Sequence, residues 1–239
     1  MRALAIVPAR LASTRLPRKA LLRETGKFLV QHVWERVQLA KRIARSVIAT
    51  DSPEIEAACR SFGAEVVMTS EKHLSGTDRC AEAYAKLRDP ADLVVNVQGD
   101  EPELDPAHVD RLVEVMERSS APMGTLAEPL ADPEEARKPQ VVKVVLDLQG
   151  RCIYFSRSLV PSEGPWLRHV GMYAFRPAFL ETFTRLAPAE LEKKERLEQL
   201  RALAHGHAIQ GAIVPSSGVR GIDTPEDYAA FVRRQGEIL

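Results

Sequence analysis

The sequence predicts an α/β fold, a mostly parallel central sheet covered by helices on both faces. Three observations carry this. Short, wholly apolar runs alternate with helix-length segments through the first half of the chain. Strands apolar on both faces belong to parallel sheets buried on both sides. A length of 239 residues, with 45% hydrophobic and 28% charged side chains, suits a soluble globular chain with a large core.

Taken in order, residues 3–7 read as a buried strand and 26–40 as a helix. Leu29, Val33, Val37 and Ala40 recur there at helical spacing. Residues 46–50 form a strand. A helix follows over 51–62, opened by Asp51, Ser52 and Pro53, with Asp51 able to cap it. Then come a strand at 64–68, a helix at 77–87, a strand at 93–97 and a helix at 107–118. The rhythm changes after about residue 120. Segments 141–146, 152–155 and 170–175 are strand-like, with a turn at 148–151. Helices at 177–185 and 188–205, a strand at 208–214 and a helix at 224–235 complete the chain. The expectation is one domain over 1–239, with a more antiparallel sub-region at about 120–175 over one edge.

Composition excludes several classes. The 33 Lys+Arg balance 33 Asp+Glu, and aromatics are only 5%. This argues against a nucleic-acid binder and a membrane-surface binder. Cys59, Cys80 and Cys152 are odd in number and widely spaced, without CxxC. That pattern points to a reducing compartment and no structural zinc. The apolar start at 3–7 is shorter than the roughly 7–15 residues of a signal-peptide core. No run of about 18 apolar residues exists to span a bilayer. The expected location is the cytoplasm.

Charge placement gives the first chemical signal. Arg2, Arg10, Arg15, Arg18, Lys19 and Arg23 all precede the first acid, Glu24. All but Arg2 follow the first strand, and ligands of open α/β sheets bind beyond the strands' carboxyl ends. A basic loop there suits a polyanion such as a phosphate chain; the plain alternative is a solvated loop. Neither GxGxxG nor GxxxxGK[ST] occurs. Side chains must therefore grip a triphosphate, helped by the Ser13 and Thr14 hydroxyls and loop N–H groups.

The second signal is LVVNVQGDEP at 93–102. Gly99 permits close backbone approach, and Asp100 would stand at the ligand edge, where a carboxylate beside a triphosphate holds Mg²⁺; the plain alternative is a turn with solvent-facing acids. The third is GIDTPED at 221–227. Thr224, Pro225 and Asp227 read as a helix cap, which leaves Asp223 as a second carboxylate for the same metal. No histidine forms a spaced metal motif. His205 and His207 flank Gly206 at a helix end and read as structural. Glu198 and Gln199 lie off the apolar stripe of Leu197, Leu200, Leu203 and Ala204, either on the surface or facing a ligand.

These stretches also carry a family resemblance. VPARLASTRLP (7–17), ATD (49–51), HLSGTDR (73–79), NVQGDEP (96–102), YFSR (154–157), RHVGMY (168–173), LEQLR (197–201) and GIDTPED (221–227) occur in this order across almost the whole chain. The chain resembles the 3-deoxy-manno-octulosonate (Kdo) cytidylyltransferase family. The resemblance implies a Rossmann-like nucleotidyltransferase domain with a small mixed, antiparallel dimerisation sub-region, usually in a homodimer. It implies transfer of CMP from CTP to Kdo, releasing pyrophosphate, for lipopolysaccharide synthesis in the bacterial cytoplasm. CTP, Kdo and Mg²⁺ would be its ligands.

Residue by residue, the resemblance assigns Arg10, Arg15 and Lys19 to the triphosphate. Pro8, Ala9, Ser75 and Gly76 would line the cytidine pocket, and Asp100 and Asp223 would hold Mg²⁺. Gln98, Arg157, His169, Tyr173, Glu198 and Gln199 would bind the sugar acid, whose carboxylate suits Arg157 or His169. The chain departs from the family where Arg18 replaces a common glycine, and in a short 158–167 loop. A cytidylyltransferase for a related sugar acid is the alternative enzyme; a non-catalytic nucleotide-binding protein is the alternative class.

Overall fold

Residues 1–13, 15–218 and 221–238 are described by a computed structural model. The first half follows the expected alternation: β1 (Ala3–Ala9), α1 (Leu29–Gln38), β2 (Ile43–Thr50), α2 (Pro53–Ser61), β3 (Val66–Met68), α3 (Gly76–Leu87), β4 (Leu93–Asn96) and α4 (Pro106–Arg118). These strands pair in parallel in the order β3-β2-β1-β4. Period-two alternation sends β1 into both cores. Ala3, Ala5 and Val7 pack with Val33 of α1 and Leu112 of α4. Leu4 and Ile6 pack on the other face with Ala83 of α3.

The second half contains β5 (Met123–Leu130), α5 (Pro133–Ala136), β6 (Lys143–Leu146), β7 (Cys152–Ser156), β8 (Trp166–Phe175), α6 (Pro177–Arg185), α7 (Glu190–Glu195), α8 (Leu200–Ala204), β9 (Ile209–Ile213) and α9 (Pro225–Ile238). β8 runs antiparallel between β4 and β5, and β9 pairs in parallel with β5. The full order is β3-β2-β1-β4-β8-β5-β9. The β6–β7 ribbon joins β8 where Lys143 faces Arg168. Antiparallel pairing thus lies where the rhythm changes, yet β5 and β8 stand inside the sheet rather than over its edge.

Four local readings change. β5 was not expected, because Gly124, Glu128 and Pro129 interrupt its apolar pattern. Gly124 makes room for Met116, whose Sδ would sit 2.5 Å from an added Cβ. Pro129 lies past Ala127, where pairing with β9 ends, so a residue without an N–H is tolerated there. The helix expected at 188–205 breaks at Arg196, which adopts a left-handed φ of 54° between α7 and α8. Helix α1 starts at Leu29, not 26, since Gly26 (φ 86°) turns the chain. Ser52, not Asp51, caps α2 through the Ile55 N–H; Asp51 instead accepts from the buried Arg79 at 2.6 Å.

Candidate active site

Parallel pairing of β1 with β4 delivers the basic loop and the Gly99–Asp100 turn to one end of the sheet. The two turns touch at Gly99, where an added Cβ would meet the Pro8 carbonyl oxygen at 2.5 Å. Both partners there are backbone, so Gly99→Ala must part the strand ends. It is expected to cost about 1–3 kcal/mol, as overpacking does. Thermal unfolding checks this at about 2–4 °C per kcal/mol for a chain of this size.

Two further segments reach the same place. Ser75 accepts from the Asp78 N–H and caps α3, setting Gly76 against Pro8. Thr224 and Asp227 cap α9 reciprocally. The Ile222 N–H donates to the Asp100 carbonyl at 2.8 Å and brings Asp223 beside Asp100. Lys19 joins them: its ammonium contacts Asp100 Oδ2 at 2.7 Å, the Ile222 carbonyl at 2.8 Å and Asp223 Oδ1 at 3.3 Å. Arg15 pairs with Asp223 Oδ1 at 2.9 Å. Arg18 holds the left-handed φ of 57° that suits the family's glycine, and pairs with Glu54.

Two cavities open on this centre. The smaller, about 270 Å³, is lined by Pro8, Ala9, Arg10, Ser13, Arg15 and Lys19, and across from them by Ser75, Gly76, Gln98, Asp100 and Asp223. It gathers the whole expected nucleotide set. Thr14 lies outside the described residues. The larger cavity, about 790 Å³, is lined by Arg157 and His169 and again by Arg15, Gln98, Asp100 and Asp223. The two cavities therefore share the carboxylate pair as a common wall.

The expected sugar residues divide. Gln98, Arg157 and His169 face the larger cavity; Tyr173, Glu198 and Gln199 line neither. Glu198 accepts from Thr77 Oγ1 at 2.7 Å, and Asn96 also donates to Thr77. Tyr173 stands opposite Asn96 in the sheet. Burial raises the Glu198 carboxyl and, with Glu198 nearby, pushes the Tyr173 phenol well above its usual range. Gln199 is 2% exposed, so it is no surface residue. Asn96 Oδ1 and Gln199 Nε2 are buried without a hydrogen-bond partner, and Glu198 Oε1 stands 4.0 Å from the Arg201 guanidinium.

His169 bonds Thr125 at 2.9 Å, and burial drives its pKa to about 3. It is a neutral ring at neutral pH, suited to a hydrogen bond rather than an ion pair with a sugar carboxylate. Arg157 donates to the carbonyls of Glu195, Pro139 and Arg196.

Sequence reasoning passed over Glu101. It lines the larger cavity, and burial and the neighbouring Asp100 raise its carboxyl to about 7. A raised acid binds its proton more tightly in the fold than in the unfolded chain, so the linked stability is full below about pH 4.5 and lost as pH rises through about 7. Glu101→Gln removes that loss. Its melting temperature is expected to exceed wild type at pH 8, with the gap closing at pH 5. A gap that shrinks toward alkaline pH would show the sign to be wrong. Arg79 was also passed over as a site residue; it lines the smaller cavity while pairing with Asp51, a contact no spacing rule reveals.

Comparison with known proteins decides the family. The profile described as Cytidylyltransferase matches residues 4–209. The chain belongs to the cytidylyltransferase family. The 3-deoxy-manno-octulosonate cytidylyltransferase of Syntrophobacter fumaroxidans is 46% identical to it, over 97% of this chain and 96% of that one. That of Vibrio cholerae is 44% identical, over 96% and 95%. A solved CMP:2-keto-3-deoxy-manno-octonic acid synthetase complexed with CTP superposes with a TM-score of 0.95 at 37% identity, covering all of both chains. A cytidylyltransferase from Leptospira borgpetersenii, at 18% identity and a TM-score of 0.66, shares the fold.

The carboxylate pair of this cytidylyltransferase can be tested for a metal. Among the described residues, no group of three His, Cys, Asp or Glu side chains forms a metal cluster. Mg²⁺ needs only one or two carboxylates, since substrate phosphates and water complete its shell. Asp100 and Asp223 converge on one ammonium, so their oxygens already share a cation. The donor set fits a hard divalent ion that arrives with phosphates.

Proposed function

We propose that the chain transfers CMP from CTP to the anomeric hydroxyl of Kdo, giving CMP-Kdo and pyrophosphate for lipopolysaccharide synthesis. One observation carries this: the expected nucleotide set and part of the sugar set line two cavities that share Arg15, Gln98, Asp100 and Asp223. Nucleotide in one and sugar acid in the other would meet at that wall. The Kdo oxygen attacks the α-phosphorus in line, its proton passes to solvent, the bond to the β-phosphate oxygen breaks, and pyrophosphate leaves with the electron pair. Arg10, Arg15 and Lys19 hold the triphosphate and take up charge on the leaving group. Asp100 and Asp223 would hold Mg²⁺, which would neutralise phosphate charge when bound. Pro8, Ala9, Ser75 and Gly76 frame the cytidine. Gln98, Arg157 and His169 contact the sugar acid, and the buried Tyr173, Glu198 and Gln199 back it.

A homodimer and a cytoplasmic location complete the reading. What supports the dimer is exposed apolar surface: Leu148 and Ile213 line one cleft, and both, like Ile153, are more than half exposed. No described helix is long and apolar enough to cross a membrane.

The test is pyrophosphate release from CTP and Mg²⁺, with and without Kdo, with the other nucleoside triphosphates alongside. Release is expected only when CTP and Kdo are both present. Release with another sugar acid instead of Kdo would keep the nucleotide reading and discard the sugar assignment.

A further inference from the structure

Lys143 is completely buried, one of the largest side chains in the core to be so. It sits where three strands join, opposite Ser156 of β7 and Arg168 of β8. An ammonium without water must spend its three donors on the protein. This one gives them to the carbonyls of Val141 at 2.6 Å, Arg157 at 2.7 Å and Lys138 at 3.4 Å. No carboxylate is among these acceptors.

Two of the carbonyls so held belong to residues in the wall of the larger cavity. Val141 and Arg157 both line it. The Val142 carbonyl, between Val141 and Lys143, accepts from the His169 N–H at 2.8 Å and fixes that ring's strand against the segment. From Arg157 the ties run on to the turn between α7 and α8. Its guanidinium donates to the Glu195 carbonyl at 2.8 Å, and its N–H donates to the Glu195 carboxylate at 2.9 Å. That turn carries Glu198 and Gln199. One buried ammonium thus braces the mountings of four side chains assigned to the sugar acid.

We propose that Lys143 is the positioning residue of the sugar-acid side, holding the Val141 and Arg157 carbonyls together and so setting the places of Arg157, His169 and the Glu198–Gln199 turn. The proposal rests on reading the larger cavity as the sugar-acid site. The nucleotide cavity is reached only at the far end of these ties, where Glu198 accepts from Thr77 beside Gly76, so the larger effect falls on the sugar-acid side. Small displacements of orienting groups cost up to about a hundredfold.

The experiment is steady-state kinetics of Lys143→Met and Lys143→Gln against wild type, with CTP binding measured by calorimetry. The KM for Kdo is expected to rise about tenfold or more in Lys143→Met, with the KM and Kd for CTP within about twofold of wild type. Lys143→Gln keeps two donors and should recover part of the loss. A purely structural role lowers the active fraction and leaves both KM values alone. An unchanged Kdo KM in a folded variant, or an equal rise in both KM values, overturns the proposal. So does failure of both variants to fold, which would assign Lys143 to the core. Wild-type turnover judges the underlying reading separately: if wild type ignores Kdo but uses another sugar acid, the split is read on that acid. A wild type that uses none overturns both.

Discussion

Asp100→Asn is expected to lower turnover about a thousandfold or more while leaving the fold intact. The reacting phosphate chain carries several negative charges into a cavity whose wall already holds Asp100 and Asp223. A divalent ion held by this pair would make that arrangement tolerable, and its charge stabilisation of a phosphoryl-type transition state would be worth several kcal/mol. A loss of about 4 kcal/mol is about a thousandfold in rate. Stability tells a different story. Asp100 is a part-exposed partner of Lys19, and such pairs contribute about 0–1 kcal/mol. Lys19 also keeps Asp223 and the Ile222 carbonyl. Melting should therefore shift by a few degrees at most. Wild-type-like turnover in a folded Asp100→Asn protein would remove Asp100 from the metal site. Collapse of the fold would make it a structural residue.

Why Asp100 was legible in the sequence, and Glu101 was not, is a matter of range. Asp100 follows an apolar strand and a glycine, and local pattern places it at the sheet's ligand edge. Asp223 was legible by elimination, because Thr224 and Asp227 complete a cap without it, as the reciprocal bonds confirm. Glu101 gains its character from burial and charges brought by distant segments, including Glu128 of β5. Lys143 is the extreme case. A lysine between valines reads as an exposed position on a strand, and only the crossing of β6, β7 and β8 closes water out of it.

The fold divides along the same line. Parallel strands buried on both faces declare themselves as apolar runs, so the first half was readable. β5 was hidden because its irregular residues answer tertiary demands: Gly124 yields to Met116, and Glu128 faces Arg168 and Ser217. The break at Arg196 was hidden because no glycine or proline marks it. Arg157 donates to the Glu195 and Arg196 carbonyls, bonds that hold the chain at the point where it turns left-handed. Tertiary hydrogen bonds outweigh local helix propensity there.

Lys19→Met should give the second large effect, with two parts of opposite sign. Turnover is expected to fall about a hundredfold to a thousandfold, the usual loss when one preorganised charge donor leaves a transition state. Binding of Mn²⁺ in the absence of nucleotide is expected to tighten, by about tenfold. Without a ligand, Lys19 touches both carboxylates and the Ile222 carbonyl, so any divalent cation must first displace an ammonium. A triphosphate offers that ammonium another anionic partner and frees the carboxylates. Nucleotide and cation then favour each other, and by linkage each strengthens the other by the same factor. Deleting the ammonium removes the competitor and most of the coupling together. Titration of Mn²⁺ followed by its electron paramagnetic resonance signal, with and without CTP, reads both quantities independently of turnover. Weaker or unchanged Mn²⁺ binding in folded Lys19→Met would mean that the lysine does not guard the carboxylates. The same titration on Asp223→Asn asks whether they are the cation's site: unaltered Mn²⁺ binding there would place the metal elsewhere. Tightening in the first variant and loss in the second would make Lys19 the reason the cation enters with its nucleotide rather than ahead of it.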